Sequence, residues 1–233
     1  MNAYAITLFG NETSTQSVDK LFESHVALEQ HFDLIRFPAI TPDQNQEIMA
    51  EERLVWTYPW ENNRLDGITG LKLHPYATRD RGARIACFLS HYHLWKLACE
   101  TGEWVMILED DTVFTKHLDL DSLPYREWSA VGINNPLGAT RRAPVFHDKV
   151  VAQRPTPIIE TPWVDDEVRT PQGLAGHSAY MISPELAKDL IHRARHAGCW
   201  PNDALMCKQL YPGKLGVTTE FYTRVQQTPS TLA

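Results

Sequence analysis

The feature that most constrains this chain is the run of residues 104–108, Trp-Val-Met-Ile-Leu, followed at once by Glu109, Asp110 and Asp111. An unbroken apolar run of strand length, without polar alternation, must be covered on both faces, as in a sheet held between helices. Before it, Ile85, Phe88, Leu89, Tyr92, Trp95, Leu97 and Ala98 recur near helical spacing over residues 82–99, and Gly102 supplies a natural helix end. A helix, a tight turn and a doubly covered strand predict an α/β layer structure. The carboxylates then fall at the carboxyl edge of the sheet, where open α/β folds keep their ligand crevices.

The rest of the chain extends this pattern. Strands are expected at residues 3–9, 33–37, 128–133, 179–182 and 215–221. A helix is expected around Val18, Leu21, Phe22, Val26 and Leu28, another at 184–197 and a short one at 201–210. Residues 42–76 carry Pro42, Pro59, Pro75, Gly67 and Gly70 and predict a long loop region with one short helix. The fold class expected is α/β, a Rossmann-type mixed sheet flanked by helices in a single domain. The Thr-Pro-rich tail after Val225 is expected to act as a flexible lid.

Composition narrows the function. With 233 residues and 43% hydrophobic content, one domain has ample material for a core. A formal charge of −7 argues against nucleic acid or an anionic membrane as partner, because such binding rests on neutralising phosphates. The densest basic cluster is Arg79, Arg81 and Arg84, suited to one phosphate group or to a solvated helix face. No run approaches the roughly 20 apolar residues that span a bilayer. The opening residues lack a basic leader, so a cytoplasmic location is expected. Cys87, Cys99, Cys199 and Cys207 form no Cys-x-x-Cys pair, which argues against a zinc cage and for packed thiols.

Like charges crowded at 109–111 repel, and a hard divalent cation, Mn²⁺ or Mg²⁺, relieves that repulsion while leaving coordination positions for substrate phosphates. The competing reading is a solvated turn whose acids cap a following helix. Metal-dependent phosphohydrolases and nucleotidyltransferases also cluster acids at strand ends, and a non-catalytic binding module can keep the same fold.

Residues 83–95, containing Cys87-Phe88-Leu89-Ser90-His91 and Trp95, followed by the 104–111 strand and acidic box, resemble the signature of glycosyltransferase family 25, which includes lipooligosaccharide and procollagen galactosyltransferases. The similarity continues in Gly176-His177-Ser178-Ala179-Tyr180-Met181-Ile182-Ser183-Pro184 and in Pro201-Asn202-Asp203. The resemblance implies a GT-A-like fold, with residues 1–125 mainly binding a nucleotide sugar and 126–233 mainly forming the acceptor side. It implies a UDP-sugar donor, galactose being the family's commonest sugar, and a glycan, lipid-linked glycan or protein acceptor. On this reading the metal ligands are Asp111, Glu109 and Asp110. Ser90, His91, Arg84, Glu109, Asp110 and His177 contact the donor, and Asp203 is the catalytic base of an inverting displacement. Trp95 is expected to pack in the core, and Asp165 and Asp166, beside Trp163, form a second acidic pair.

Overall fold

The structure is a computed structural model that describes residues 1–76, 78–139 and 142–227. In chain order the strands are β1 (Asn2–Thr7), β2 (Leu34–Pro38), β3 (Arg64–Leu65), β4 (Lys72–Leu73), β5 (Val105–Leu108), β6 (Thr112–Phe114), β7 (Ala130–Gly132), β8 (Ile158–Glu160), β9 (Ala179–Ile182), β10 (Leu215–Thr218) and β11 (Thr223–Val225). The helices are α1 (Glu12–Ala27), α2 (Asn45–Glu51), α3 (Arg81–Thr101), α4 (Ala143–Val151), α5 (Pro184–Ala197) and α6 (Asn202–Leu205).

The main sheet has seven strands in the order β2-β1-β5-β9-β7-β10-β8. It is mixed. β1 runs parallel to β2 and β5, and β7 runs parallel to β10, whereas β9 is antiparallel to β5 and β7, and β8 is antiparallel to β10. All four residues of β5 and of β9 are buried, as expected of central strands covered on both faces. The architecture is therefore the expected α/β mixed sheet flanked by helices.

Helix α3 forms where its sequence requires. The Asp80 side chain accepts a hydrogen bond from Ala83 N at 2.9 Å and caps its start, and Gly102, with φ of 68°, ends it in the left-handed region that glycine adopts without a Cβ penalty. Its inner face buries Phe88, Leu89, Tyr92, Leu94 and Trp95, each worth about 1.5–3 kcal/mol relative to exposure. α5 packs beside it, with Ser183 accepting from Leu186 N at the cap and Pro184 opening the first turn.

Several local expectations change. The polar stretch from Asn11 is already helical, because the Asn11 side chain caps α1 by accepting from Ser14 N. The helix expected at 201–210 ends at Leu205. Met206 leaves the helical region, and Cys207 and Lys208 are drawn across to Gly173 and Gln172 by a β-bridge and a 2.7 Å hydrogen bond. Gly173 permits that approach, since a Cβ there would meet Met206 O at 2.1 Å. The strand expected over 215–221 ends at Thr218, and the chain then turns into β11, which pairs with β6. α4, β6 and β8 were not expected from periodicity. The expected lid falls mostly on residues 228–233, which lie outside the described residues.

Candidate active site at the carboxyl edge of the central strand

The antiparallel register of β5 and β9 pairs Leu108 with Ala179, so the residues after β5 and those before β9 meet at one sheet edge. Glu109 N donates to Ser178 O at 2.8 Å, and Thr112 Oγ1 donates to the same carbonyl at 3.0 Å. No helix follows the acids. Thr112–Phe114 is the short strand β6, so helix capping does not account for the acidic box.

A cleft of about 660 Å³ opens at this edge. Glu109 and Asp111 line it from the strand end, and Gly176, His177 and Ser178 from the start of β9. Arg84 and Cys87 line it from α3, and Pro201, Asn202 and Asp203 from the turn into α6. Tyr76 and Gln226 also line it. Gln226 is fixed there by its backbone N–H to Asp111 O at 2.6 Å and by its side-chain amide to Ser17 O and Thr112 O.

The electrostatics of the cleft follow from crowding. Burial pushes the Asp111 carboxyl up to about 7, and neighbouring Glu109 and Asp110 add to the shift. Asp111 Oδ1 is shielded from solvent and has no hydrogen-bond partner. Burial also pushes Glu109 up, but the His91 and His177 imidazoles and Ser178 outweigh it and hold that carboxyl below its ordinary value. Burial raises Asp203, against the pull of the Arg84 guanidinium. Arg84 itself lies over the Tyr76 ring at 4.1 Å. Nearby Asp203, together with burial, pushes the Tyr76 phenol up. Burial and the Glu109 charge do the same to the Cys87 thiol, and burial pulls His177 down to about 3. A carboxylate oxygen left without a partner beside a second carboxylate is a donor set that suits a hard divalent cation.

Of the residues singled out in the sequence, the cleft brings together Arg84, Glu109, Asp111, His177 and Asp203. Asp110 is half-buried beside them and is not among the lining residues. His91 lies beneath the cleft floor, fully buried, with Nδ1 2.9 Å from Tyr180 Oη and Nε2 3.4 Å from Glu109 Oε1. Ser90 faces elsewhere. Its hydroxyl donates to Ala86 O and accepts from Ile40 N, both at 2.9 Å, pinning the loop after β2 to α3. Trp95 is core, its indole N–H donating to Tyr180 Oη at 3.0 Å. Asp165 pairs with Arg142 at 2.7 Å and is not among the lining residues. Sequence reading passed over Tyr76, which had no periodic pattern around it, and treated Asn202 only as part of a motif. Asn202 is buried in the cleft wall with Oδ1 unpartnered.

Fold and cleft together define a mixed α/β enzyme that gathers its carboxylates at the end of a central strand. The family model described as "Glycosyltransferase family 25 (LPS biosynthesis protein)" matches residues 12–206, and the chain belongs to that family and is a glycosyltransferase. Its mixed sheet flanked by helices is consistent with a GT-A-like fold. No curated protein matches the sequence. Among solved structures, a glycosyltransferase involved in the glycosylation of the major capsid of PBCV-1 is similar at a TM-score of 0.43 and 11% identity, over 97% of this chain and 94% of that one. No helix among the described residues is long and apolar enough to cross a membrane.

Proposed function

We propose that the protein transfers a hexose, galactose in the first instance, from a UDP-sugar to a hydroxyl of a glycan, lipid-linked glycan or protein acceptor in the cytoplasm, with inversion and with a divalent cation. The observation that carries this reading is the meeting of Asp111 and Glu109 with Arg84 and Asp203 in one cleft. Residues 1–125 supply most of the donor side and 126–233 most of the acceptor side.

Asp111 and Glu109, supported by Asp110, would hold Mn²⁺ or Mg²⁺. The orphaned Asp111 Oδ1 and the mutual repulsion of the acids favour such an ion. Bound there, it supplies Lewis-acid stabilisation of the negative charge on the leaving diphosphate. Arg84, whose Cζ lies 4.1 Å from the Tyr76 ring centroid, offers its guanidinium to the same phosphates. Asp203 accepts the proton of the acceptor hydroxyl as that oxygen bonds to the anomeric carbon and the bond from that carbon to the UDP oxygen breaks. A carboxyl raised by burial is a stronger base than an exposed aspartate, which suits this role. Asn202, beside it, has an amide oxygen free to accept from a sugar hydroxyl.

Thermal denaturation with UDP-galactose, UDP-glucose and UDP-N-acetylhexosamines, each with and without Mn²⁺, tests the donor assignment. A ligand at about 100 times its dissociation constant stabilises the native state by roughly 2.7 kcal/mol. The expected result is an upward shift for one UDP-sugar that is largest with Mn²⁺. The same melting temperature with every UDP-sugar, with or without Mn²⁺, contradicts the reading.

A further inference from the structure

Beneath the carboxylate edge lies a second donor set of different chemistry. Cys87 and His91 stand one helical turn apart on the same face of α3, and Glu109 approaches them from the end of β5. Their ligand atoms, Sγ, an imidazole nitrogen and a carboxylate oxygen, all lie within 4.8 Å of one another. His91 is fully buried, and its Nε2 has no hydrogen-bond partner, although Glu109 Oε1 is 3.4 Å away. That separation matches the roughly 3.3 Å edge of a tetrahedron built on metal–ligand bonds of about 2.0–2.1 Å.

The imidazole is also oriented as metal-binding histidines are. Binding through Nε2 requires the ring proton on Nδ1, and Tyr180 Oη, 2.9 Å away, offers a lone pair to accept it while also receiving the Trp95 indole proton at 3.0 Å. In that tautomer the free lone pair is on Nε2, on the side of Glu109 and Cys87. A neighbour that accepts the remote ring N–H is the usual support for a metal-binding histidine.

We propose that Cys87, His91 and Glu109 form a binding site for a borderline-soft divalent cation such as Zn²⁺, separate in donor chemistry from the all-oxygen site at Asp111. One thiolate, one imidazole and one carboxylate favour zinc over magnesium or manganese, and three protein ligands leave a fourth position open to the cleft. The site needs a single cysteine and no Cys-x-x-Cys pair. Since Glu109 belongs to both sets, Zn²⁺ here competes with the hard cation of the proposed reaction, a consequence that rests on that reading.

The test is independent of transfer activity. Metal-stripped protein is titrated with Co²⁺, a zinc substitute whose bond to a thiolate gives a charge-transfer band in the near ultraviolet. One equivalent should produce the band. It should disappear in Cys87→Ser and persist in Cys99→Ser and Asp111→Asn. Tyr180→Phe, which removes the hydroxyl beside His91 Nδ1 and leaves all three ligands in place, should weaken Co²⁺ binding roughly tenfold. On the wild-type protein, which avoids any folding defect of a variant, Zn²⁺ should protect Cys87 from alkylation, as read by mass spectrometry. Co²⁺ binding without a thiolate band, a band that survives Cys87→Ser, or alkylation of Cys87 at the same rate with and without Zn²⁺ overturns the proposal.

Discussion

The rings of His91 and Tyr180 lie parallel, 3° apart with centroids 5.8 Å from each other, and a 2.9 Å hydrogen bond joins Nδ1 and the hydroxyl. One residue comes from α3 and the other from β9, so this contact locks the helix to the strand beside the carboxylates. Removing the hydroxyl by Tyr180→Phe leaves the buried nitrogens of His91 and Trp95 without a partner. The expected loss is about 1–3 kcal/mol per orphaned group, and urea denaturation measures it.

The Ser90 hydroxyl is engaged with the backbone at Ala86 and Ile40. Ser90→Ala removes hydrogen bonds to Ala86 O and from Ile40 N, so stability should fall by about 1–2 kcal/mol. The KM for a nucleotide sugar should stay at the wild-type value. A raised KM with unchanged stability would instead place the hydroxyl at the donor.

Gly173 allows the chain around α6 to approach the segment before β9. Gly173→Ala drives a Cβ to 2.1 Å from Met206 O, a backbone atom that cannot swing aside. Overpacking of this kind costs about 1–3 kcal/mol, and here the displaced segment carries Asp203, so thermal stability and transfer rate should fall together.

Glu52 sets an acid limit on stability away from the cleft. Burial alone would raise its carboxyl, but hydrogen bonds from Lys96, Arg195 and Tyr92 overturn that and hold it at about 2, against an ordinary value of 4.5. A depressed carboxyl contributes stability above its unfolded value and loses it as pH falls through the folded one. The contribution should therefore fade between about pH 4.5 and pH 2. Glu52→Gln should remove this portion of the acid transition in equilibrium unfolding followed against pH.

What the sequence made legible, and what it did not, has a physical basis. α3, β5, β9 and α5 have full apolar faces and clear caps, so local pattern defines them. The strands β6 and β8 are three residues each, too short for period-two alternation to register. The early end of α6 depends on Gly173 and Gln172, some thirty residues away, and no local signal carries that. In the cleft, the acids were legible because an apolar strand delivers them to an edge. Tyr76 was not, because it lies in a stretch without periodicity and its contact with Arg84 leaves no mark on the local pattern. Ser90 and His91 are neighbours in a motif, yet successive helical positions point about 100° apart, so Ser90 bonds the backbone at Ala86 and Ile40 whereas His91 lies beside Glu109.

The account centres on Asp111 and Asp203 acting in one reaction, and product analysis tests this most directly. Wild-type protein, Asp111→Asn and Asp203→Asn are each incubated with Mn²⁺, a UDP-hexose and a glycan acceptor, and free UDP and glycosylated product are measured. The account predicts UDP and product in equal amounts from the wild type. It predicts a rate lower by about 10²–10⁴ in Asp203→Asn, the usual contribution of a positioned base, and loss of the Mn²⁺ dependence in Asp111→Asn. Cleavage of phosphate monoesters without UDP release, or both variants transferring at the wild-type rate, would contradict it.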